Sequence, residues 1–221
     1  MAFFGEKFGI KEVADVAFYE VGKVNYSKTT GKVTATAAPK LVFNTLKVST
    51  LEFTGETTEA RGGKGNAVLM SWDHSREATL TLEDALLSAE SLRAMLSNSN
   101  FEGDGDAATG NGLPKSTVIS IDANGFPGTY SVVGKTFARG ADGRDHLLTF
   151  LIFKAKVQSE ASFEMTADGD PSTLNMTLKV LRCNEDNEKG MGCLDGDMIK
   201  MIIDEKEDGV NFDMKFPGQE A

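Results

Sequence analysis

The chain has 221 residues, a formal net charge of −10 and an isoelectric point near 4.8. This length is typical of one β-rich domain of roughly 200–250 residues, which we predict over residues 1–221. Such an acidic surface repels phosphate backbones and anionic membranes, so stable binding to nucleic acid or to a membrane is not expected. No apolar run approaches the roughly 18–20 residues that span a bilayer. Because Met1–Ile10 lacks the pattern of a signal peptide, we expect the protein to stay in the cytoplasm where it is made.

Alternating apolar and polar residues predict that most of the chain forms β-strands with one buried face. The first candidates are residues 15–21 and 41–54. In the second candidate, Leu46 and Val48 point to one face while Leu51 and Phe53 point to the other, which predicts a β-bulge between the two pairs. Residues 76–82 alternate again through Ala78, Leu80 and Leu82.

One helix is predicted over residues 84–98, because several apolar residues there are spaced to share a helical face. Asp84 or Ser88 provides an N-cap, and the segment 98–100 ends the helix. The residues on the apolar face are Leu86, Leu87, Leu92, Met95 and Leu96.

Two hairpins are predicted in the second half of the chain. Residues 129–138 and 146–156 form the first, with Gly140 and Gly143 able to take the positive φ angles of a tight turn. Within it, residues 147–153 are an almost continuous apolar run, typical of a strand buried on both faces, either in the core or beneath a partner subunit. Residues 161–165 and 173–181 form the second hairpin.

Three polar segments are predicted to be surface loops or assembly arms, at residues 27–38, 101–112 and 184–192. Together, these patterns predict a mainly β fold. Its architecture is a β-sandwich or barrel with one flanking α-helix and long loops.

The two cysteines, Cys183 and Cys193, are ten positions apart. A disulfide is possible there, but a cytosolic protein keeps its thiols reduced, so we expect free thiols. With only His74 and His146 elsewhere, the residues of a zinc site are incomplete.

The segment Arg61-Gly-Gly-Lys-Gly-Asn66 has the glycines and lysine of a phosphate-binding loop. A P-loop needs four residues between its first Gly and the Gly-Lys pair, followed by Ser or Thr, whereas Lys64 is followed by Gly65. We interpret the segment as a flexible basic loop between strands. In the alternative, Arg61 and Lys64 contact an acidic patch on a neighbouring copy.

No set of catalytic or metal-binding residues emerges from the sequence. Pairs such as Asp104 and Asp106 lack the acidic residue that closes an EF-hand loop, so they are interpreted as solvated turns. Neither histidine lies in a nucleophile motif, and Trp72 is interpreted as a core residue or an anchor at a subunit interface. We therefore predict a protein that is not an enzyme and has no cofactor or metal. A calcium- or carbohydrate-binding β-sandwich is the alternative outside structural proteins.

Four stretches resemble the major tail or tail-tube proteins of long-tailed bacteriophages. They are Leu46-Lys-Val-Ser-Thr-Leu-Glu-Phe-Thr54, the Gly-rich loop at 60–67, the segment 71–87 that begins Ser71-Trp-Asp-His, and the helix at 91–96. Residues 157–172 fit the same group less specifically.

The resemblance implies a virion structural protein whose subunits form hexameric rings, stacked into a hollow tube for genome delivery. It implies strands from adjacent subunits closing an inner β-barrel, and arms that reach the next ring. The implied partners are copies of the chain and other tail proteins, namely the tape measure, the terminator and a sheath where there is one, with DNA only in transit. The implied location is the virion tail after synthesis in the host cytoplasm, and the alternatives within a virion are a head decoration, collar or tail-terminator protein. The candidate inter-subunit contacts are Arg61, Lys64, Trp72, Arg76, Phe150 and Phe153.

Overall fold

The computed structural model describes residues 7–10, 12–86, 91, 92, 94, 126–141, 143–158, 173–184, 191–204 and 215–218. Over these ranges most residues lie in strands and very few in helices, which confirms the prediction of a mainly β protein. In chain order the strands are β1 (Phe8–Ile10), β2 (Asp15–Glu20), β3 (Val24–Ser27), β4 (Lys32–Ala35), β5 (Leu41–Phe43), β6 (Leu46–Gly62), β7 (Ala67–Asp84), β8 (Thr129–Gly140), β9 (Asp145–Val157), β10 (Leu174–Val180) and β11 (Ile199–Asp204).

Nine of these strands form one antiparallel sheet, and seven of the nine follow the order β5-β2-β8-β9-β10-β7-β6. Strand β1 pairs with the far end of β8, and β11 pairs with β9 beside the part that β10 leaves free. Strands β3 and β4 form a separate two-stranded sheet. The ends of the main sheet are therefore β5, with three residues, and β6, with 17 residues.

The predicted hairpin of β8 and β9 is confirmed and lies in the middle of the sheet. Residues 147–153 are all buried, as their apolar run predicts, because a core lies on each face of β9. Of the two turn glycines, only Gly143 has a positive φ, at 80°. Gly140 does not need one because it is still part of β8, where it pairs with Phe8.

The first core lies against one face of β8 and β9. It also takes residues from β2 and β5 near one end of the sheet and from β10 and β7 near the other, so the sheet curls around it. The larger side chains in this core are Phe18, Leu41, Phe43, Leu80, Leu82, Leu148, Phe150, Ile152, Leu174, Met176 and Leu178.

The second core lies on the opposite face and is covered by the β3–β4 hairpin. Tyr26 and Val33 pair across the hairpin, and both pack against this core. Residues 27–38, predicted to be a loop, therefore contain the end of β3 and all of β4. The Lys- and Thr-rich composition of this segment gives no sign of its partly buried face, because that face packs against residues distant in sequence. The buried side chains of this core are Ala17, Tyr19, Val24, Val133, Leu151, Phe153, Cys183, Met191, Cys193 and Phe216.

Cys183 and Cys193 form a disulfide, with their Cα atoms 6.6 Å apart, so the expectation of free thiols is wrong. Backbone hydrogen bonds hold the two chain segments side by side. The N–H of Cys183 donates to the carbonyl of Asp197 at 2.8 Å, and the N–H of Gly196 donates to the carbonyl of Cys183 at 3.1 Å. These backbone hydrogen bonds bring the two cysteines together. The expectation of free thiols rested on the cellular compartment alone and did not take this pairing into account.

Residues 215–218 pack against the second core and are held there by hydrogen bonds. The Tyr19 hydroxyl donates a 2.7 Å hydrogen bond to the carbonyl of Pro217, and the Phe216 side chain is buried. The buried Lys135 ammonium donates to the carbonyl of Lys215. Burial raises the pKa of Tyr19.

The helix predicted over residues 84–98 begins later than expected. Asp84 is the last residue of β7 and pairs with Leu46 on one side and Leu174 on the other, so it belongs to the sheet. Its buried carboxylate accepts a hydrogen bond from the Thr45 hydroxyl. Residues 91, 92 and 94 are helical, and the other residues of the predicted helix after Leu86 lie outside the described ranges.

The strand predicted over residues 41–54 is two strands, β5 and β6, and its bulge lies earlier than expected. The register shifts between Leu46 and Val48, so Lys47 is the extra residue. Leu46 and Leu51 then both reach the first core, while Val48 is exposed.

The strands predicted over residues 15–21 and 173–181 are confirmed as β2 and β10, although β10 pairs with β7 and β9. Its predicted partner at residues 161–165, the loop at 101–112, and residues 185–190 of the third loop lie outside the described residues.

Candidate assembly interface

Within the described ranges, the most prominent surface feature is a two-stranded extension of β6 and β7. Strand β10 pairs with β7 only from Asp84 to Thr79, and beyond that point β6 and β7 continue with only each other as partners among the described residues. Residues 52–59 and 63–77 are all exposed. We call residues 52–77 the arm. A ribbon of two strands with no packed face is only marginally stable by itself, so contact with another surface would stabilise it.

The two faces of the arm follow from its register, because cross-strand partners share a face and neighbours along a strand alternate. Two side-chain contacts agree with the assignment. The Thr57 hydroxyl donates to the Asp73 carboxylate at 2.8 Å on one face, and His74 Nε2 lies 3.4 Å from a Glu56 carboxylate oxygen on the other.

One face of the outer arm is apolar. Thr58 pairs with Trp72 and Ala60 pairs with Met70, which places the two large side chains on the same face as His74. Leu69 lies on this face too, since its Cδ1 atom is 3.2 Å from the position of a Cβ built on Gly62. The exposed fractions are 66% for Leu69, 59% for Met70 and 51% for Trp72. A cluster of this kind on a protruding element is a typical contact surface.

The other face of the outer arm is mainly polar, although Val68 lies on it as the cross-strand partner of Arg61. Besides the Thr57–Asp73 hydrogen bond, it carries the ion pair between Arg61 and Glu59, with a separation of 2.9 Å from Arg61 Nε to the carboxylate. Both partners of the ion pair are exposed, so it adds little to stability. The outer arm therefore has an apolar face and a polar face on opposite sides of the same stretch of ribbon.

The arm ends in a tight turn of residues 63–66. Gly63, Gly65 and Asn66 have positive φ angles of 78°, 93° and 52°, and the N–H of Asn66 donates to the carbonyl of Gly63 at 3.2 Å. Of the segment predicted to be a loop between strands, Arg61 and Gly62 belong to β6 and pair with Val68 and Ala67, and the other four residues form the turn. Lys64 is exposed at the tip.

Four of the six predicted contact residues lie on this one arm: Arg61, Lys64, Trp72 and Arg76. All four are exposed. Phe150 and Phe153 are buried in the first and second core respectively, where they present almost no surface to another subunit. Whether the four arm residues contact another subunit remains a prediction.

The arm itself was not predicted at its full length. Arg76 follows Ser75, which has a φ of 54° where the register shifts between the 54–77 and 56–74 pairs. This bulge interrupts the alternation that marks residues 76–82 as a strand. Before the Gly-rich turn, the available signal was the polar, Thr-rich run at residues 54–59, whereas residues 67–70 after the turn are apolar and show no alternation.

The described residues show no group of three or more His, Cys, Asp or Glu side chains that could hold a metal ion. His74 is exposed and paired with Glu56, whereas His146 is buried. No helix in the described part of the chain is long and apolar enough to cross a membrane.

Comparison with solved structures gives a match to a chain titled "Cryo-EM structure of the anti-feeding prophage (AFP) baseplate, 6-fold symmetrised", with 13% sequence identity. The match covers 88% of this chain and 95% of that one, with a TM-score of 0.39, which is too low to establish a common function. A comparison with curated proteins finds no match.

The sequence profile of the YomU/Tube protein family matches residues 8–107 and 113–193, which is most of the chain. This match supports a tail-associated structural protein, in agreement with the broader part of the predicted resemblance. The chain belongs to the YomU/Tube protein family.

Proposed function

We propose that the chain is a tail-tube subunit whose copies form stacked hexameric rings, which make the hollow conduit for genome delivery. The observation that carries the proposal is the arm, with three large apolar side chains exposed on one face of a ribbon whose strands pair only with each other among the described residues. Membership in a family of tube proteins supports the same function.

The free energy available from the arm is consistent with an assembly contact. Burying a large apolar side chain completely is worth about 1.5–3 kcal/mol. Leu69, Met70 and Trp72 are each more than half exposed, so burying the exposed parts would contribute roughly 3–4 kcal/mol per contact. A closed ring repeats this contact at each subunit.

The ends of the sheet support a head-to-tail ring. Strand β6 is 17 residues long, and among the described residues only β7 pairs with it. A long unpaired edge recruits further strands, and pairing it with a neighbouring subunit in a closed ring removes the exposed edge. At the other end of the strand order, β5 pairs only with β2 among the described residues, which makes it the proposed contact for the next subunit in the same direction.

The charge of the chain agrees with a conduit for DNA. At a net charge of −10, a ring of six copies carries a charge of about −60, which opposes DNA adsorption and favours passage. The proposed partners are copies of the chain and the other proteins of a tail, namely the tape measure, the terminator and a sheath where the tail has one.

The test is whether the purified protein forms rings or tubes by negative-stain electron microscopy and sedimentation velocity. We expect M70S/W72S to raise the concentration for assembly by about 30-fold or more, from the loss of roughly 2 kcal/mol of apolar burial. M201S is the matched control, because Met201 is 54% exposed on β11, away from the arm.

Two results would count against the proposal. A wild-type protein that stays monomeric at high concentration would overturn the tube function. Antibody labelling confined to one point of the virion, rather than along the whole tail, would instead favour a collar, decoration or terminator protein.

A further inference from the structure

The chain has a basic segment that contrasts with its acidic composition. Residues 21–46 contain Lys23, Lys28, Lys32 and Lys40 and no Asp or Glu. Since the whole chain has a net charge of −10, the remaining residues carry −14. Charge of one sign is thus concentrated on a short stretch around β3 and β4.

The β3–β4 hairpin turns these charges outward. Its register places Tyr26 and Val33 on the face that packs on the second core, so Asn25 and Thr34 share the outer face. The Thr34 hydroxyl donates to the Asn25 side chain there, and this neutral pair leaves the charge to the lysines.

Three of the lysines are exposed and available for a partner: Lys23, Lys28 and Lys32. Among the described residues, none of the three forms an ion pair within 4.0 Å, whereas Lys40 lies 3.7 Å from Glu20. Asp197 acts on Lys28 through space, but its carboxylate is bonded to Lys200 Nζ at 2.8 Å. We call these three lysines and the hairpin that carries them the basic hairpin.

The arm offers the opposite charge near the opposite end of the strand order. Glu52 pairs with Thr79 and Glu56 pairs with His74, so both glutamates lie on the face that becomes apolar further out. Glu77 shares this face, and its carboxylate accepts a 2.8 Å hydrogen bond from Lys179 Nζ. We call Glu52 and Glu56, which are exposed, the acidic stem.

The connectivity relates the two charged surfaces. The basic hairpin joins β2 to β5 at one end of the sheet, and the acidic stem is part of β6 at the other end. In a head-to-tail ring, one end of each subunit faces the other end of the next, so such a ring brings unlike charges together.

We propose that the basic hairpin of one copy binds the acidic stem of the next copy. This inference rests on the proposed function, since it names the surfaces that the subunits of a ring would use. The contact is heterologous, so it specifies the direction of subunit addition, and like-charged ends repel the reversed arrangement. Because both surfaces are exposed before assembly, salt screens the attraction, and the Debye length is about 10 Å at 0.1 M.

The experiment uses two full-length variants with opposite defects. In K23E/K28E/K32E the basic hairpin becomes acidic, and in E52K/E56K the acidic stem becomes basic. Each variant alone has like charges at the contact, so we expect the concentration for assembly, measured by sedimentation velocity in 50 mM salt, to rise at least tenfold. In an equimolar mixture, a ring in which the two variants alternate has unlike charges at every contact. We therefore expect assembly to return, with both variants in the same rings.

The conservative variant K23R/K28R/K32R keeps the charge and should assemble like the wild type. Circular dichroism melting of every variant checks the fold. Should the lysine variant fail to fold, E52K/E56K together with salt titration of the wild type decides the question, with weaker assembly expected in both cases.

The possible outcomes separate the two proposals. A wild type that assembles, together with reversal variants that assemble at the same concentration, overturns this contact but leaves the tube function standing. A wild type that never assembles overturns both. Salt-sensitive binding of the wild type to double-stranded DNA, lost in K23E/K28E/K32E while assembly is unchanged, would assign the lysines to phosphate contacts and overturn the contact between copies.

Discussion

Replacing Gly134 with alanine should destabilise the protein, because the Phe150 ring occupies the space where a side chain would stand. Gly134 and Phe150 are direct cross-strand partners in β8 and β9. A Cβ atom on Gly134 would lie 2.0 Å from Phe150 Cζ and 2.2 Å from Cε1. Carbon atoms in contact are about 3.5–4.0 Å apart, so the ring would have to move by roughly 1.5 Å or leave its site.

The expected cost of G134A follows from either response. Overpacking a core costs about 1–3 kcal/mol, and exposing a Phe ring costs about 1.5–3 kcal/mol. We expect a loss of roughly 2–3 kcal/mol in the free energy of unfolding, or about 5–10 °C in Tm for a chain of this size. Urea denaturation followed by circular dichroism measures it.

A matched control and a double mutant make this experiment specific. Gly9 lies in β1, and a Cβ atom added to it would meet no atom within 4 Å, so G9A should change stability by no more than about 0.5 kcal/mol. F150A alone should cost about 3–5 kcal/mol, and G134A should add little to it once the ring is gone. Equal stability of G134A and G9A would show that the Phe150 ring is not seated on Gly134.

Three further predictions concern the covering of the second core. Reduction of the disulfide, or C183A/C193A, should lower the free energy of unfolding by about 3 kcal/mol, and a urea midpoint that ignores reductant would contradict this. Burial tends to raise the pKa of Asp197, but hydrogen bonds from Lys200 and a backbone N–H outweigh it, and the pKa lies below 3.8. The contribution of this carboxylate to the free energy of unfolding is therefore complete above about pH 4 and is lost as the pH falls through the lowered pKa. We expect D197N to lose less stability than the wild type as the pH falls, in a plot of the free energy of unfolding against pH. Equal losses in the two proteins would refute this prediction. The raised pKa of Tyr19 makes its contribution complete below about pH 10 and lost at higher pH. Y19F should lose about 1 kcal/mol at pH 8 through its missing hydrogen bond and show a smaller loss of Tm between pH 8 and pH 10.5, whereas an unchanged Tm difference between these pH values would argue against it.

Much of the sheet could be predicted because its pattern is local. Strand β10 alternates buried and partly exposed or exposed residues, and the buried run in β9 reflects a core on each side, so both are readable from a few neighbouring residues. The same local reading extended the helix to Asp84, where cross-strand pairing on both sides keeps the residue in the sheet. Apolar spacing alone does not reveal which neighbour competes for a segment.

The surfaces that matter for assembly were harder to predict, because their burial depends on distant residues. The inner face of β3 and β4 packs on a second core that is completed by residues distant in sequence, namely Met191, Cys193 and Phe216. The disulfide likewise depends on two segments brought together by backbone hydrogen bonds. The arm does not pack on either core, so the size of a side chain there does not predict its burial. Trp72, the largest side chain of the arm, is exposed. Size and hydropathy therefore marked Trp72 as a contact residue without showing that it lies on a protruding ribbon.

Trp72 also gives the protein a built-in optical probe. It is the only tryptophan in the 221-residue chain, and it lies half exposed on the apolar face of the arm. Indole emission shifts to shorter wavelength when the ring leaves water, so the intrinsic tryptophan spectrum of this protein responds to the surroundings of one arm residue alone. Assembly through the arm can thus be followed in real time, without a label, as a concentration-dependent blue shift.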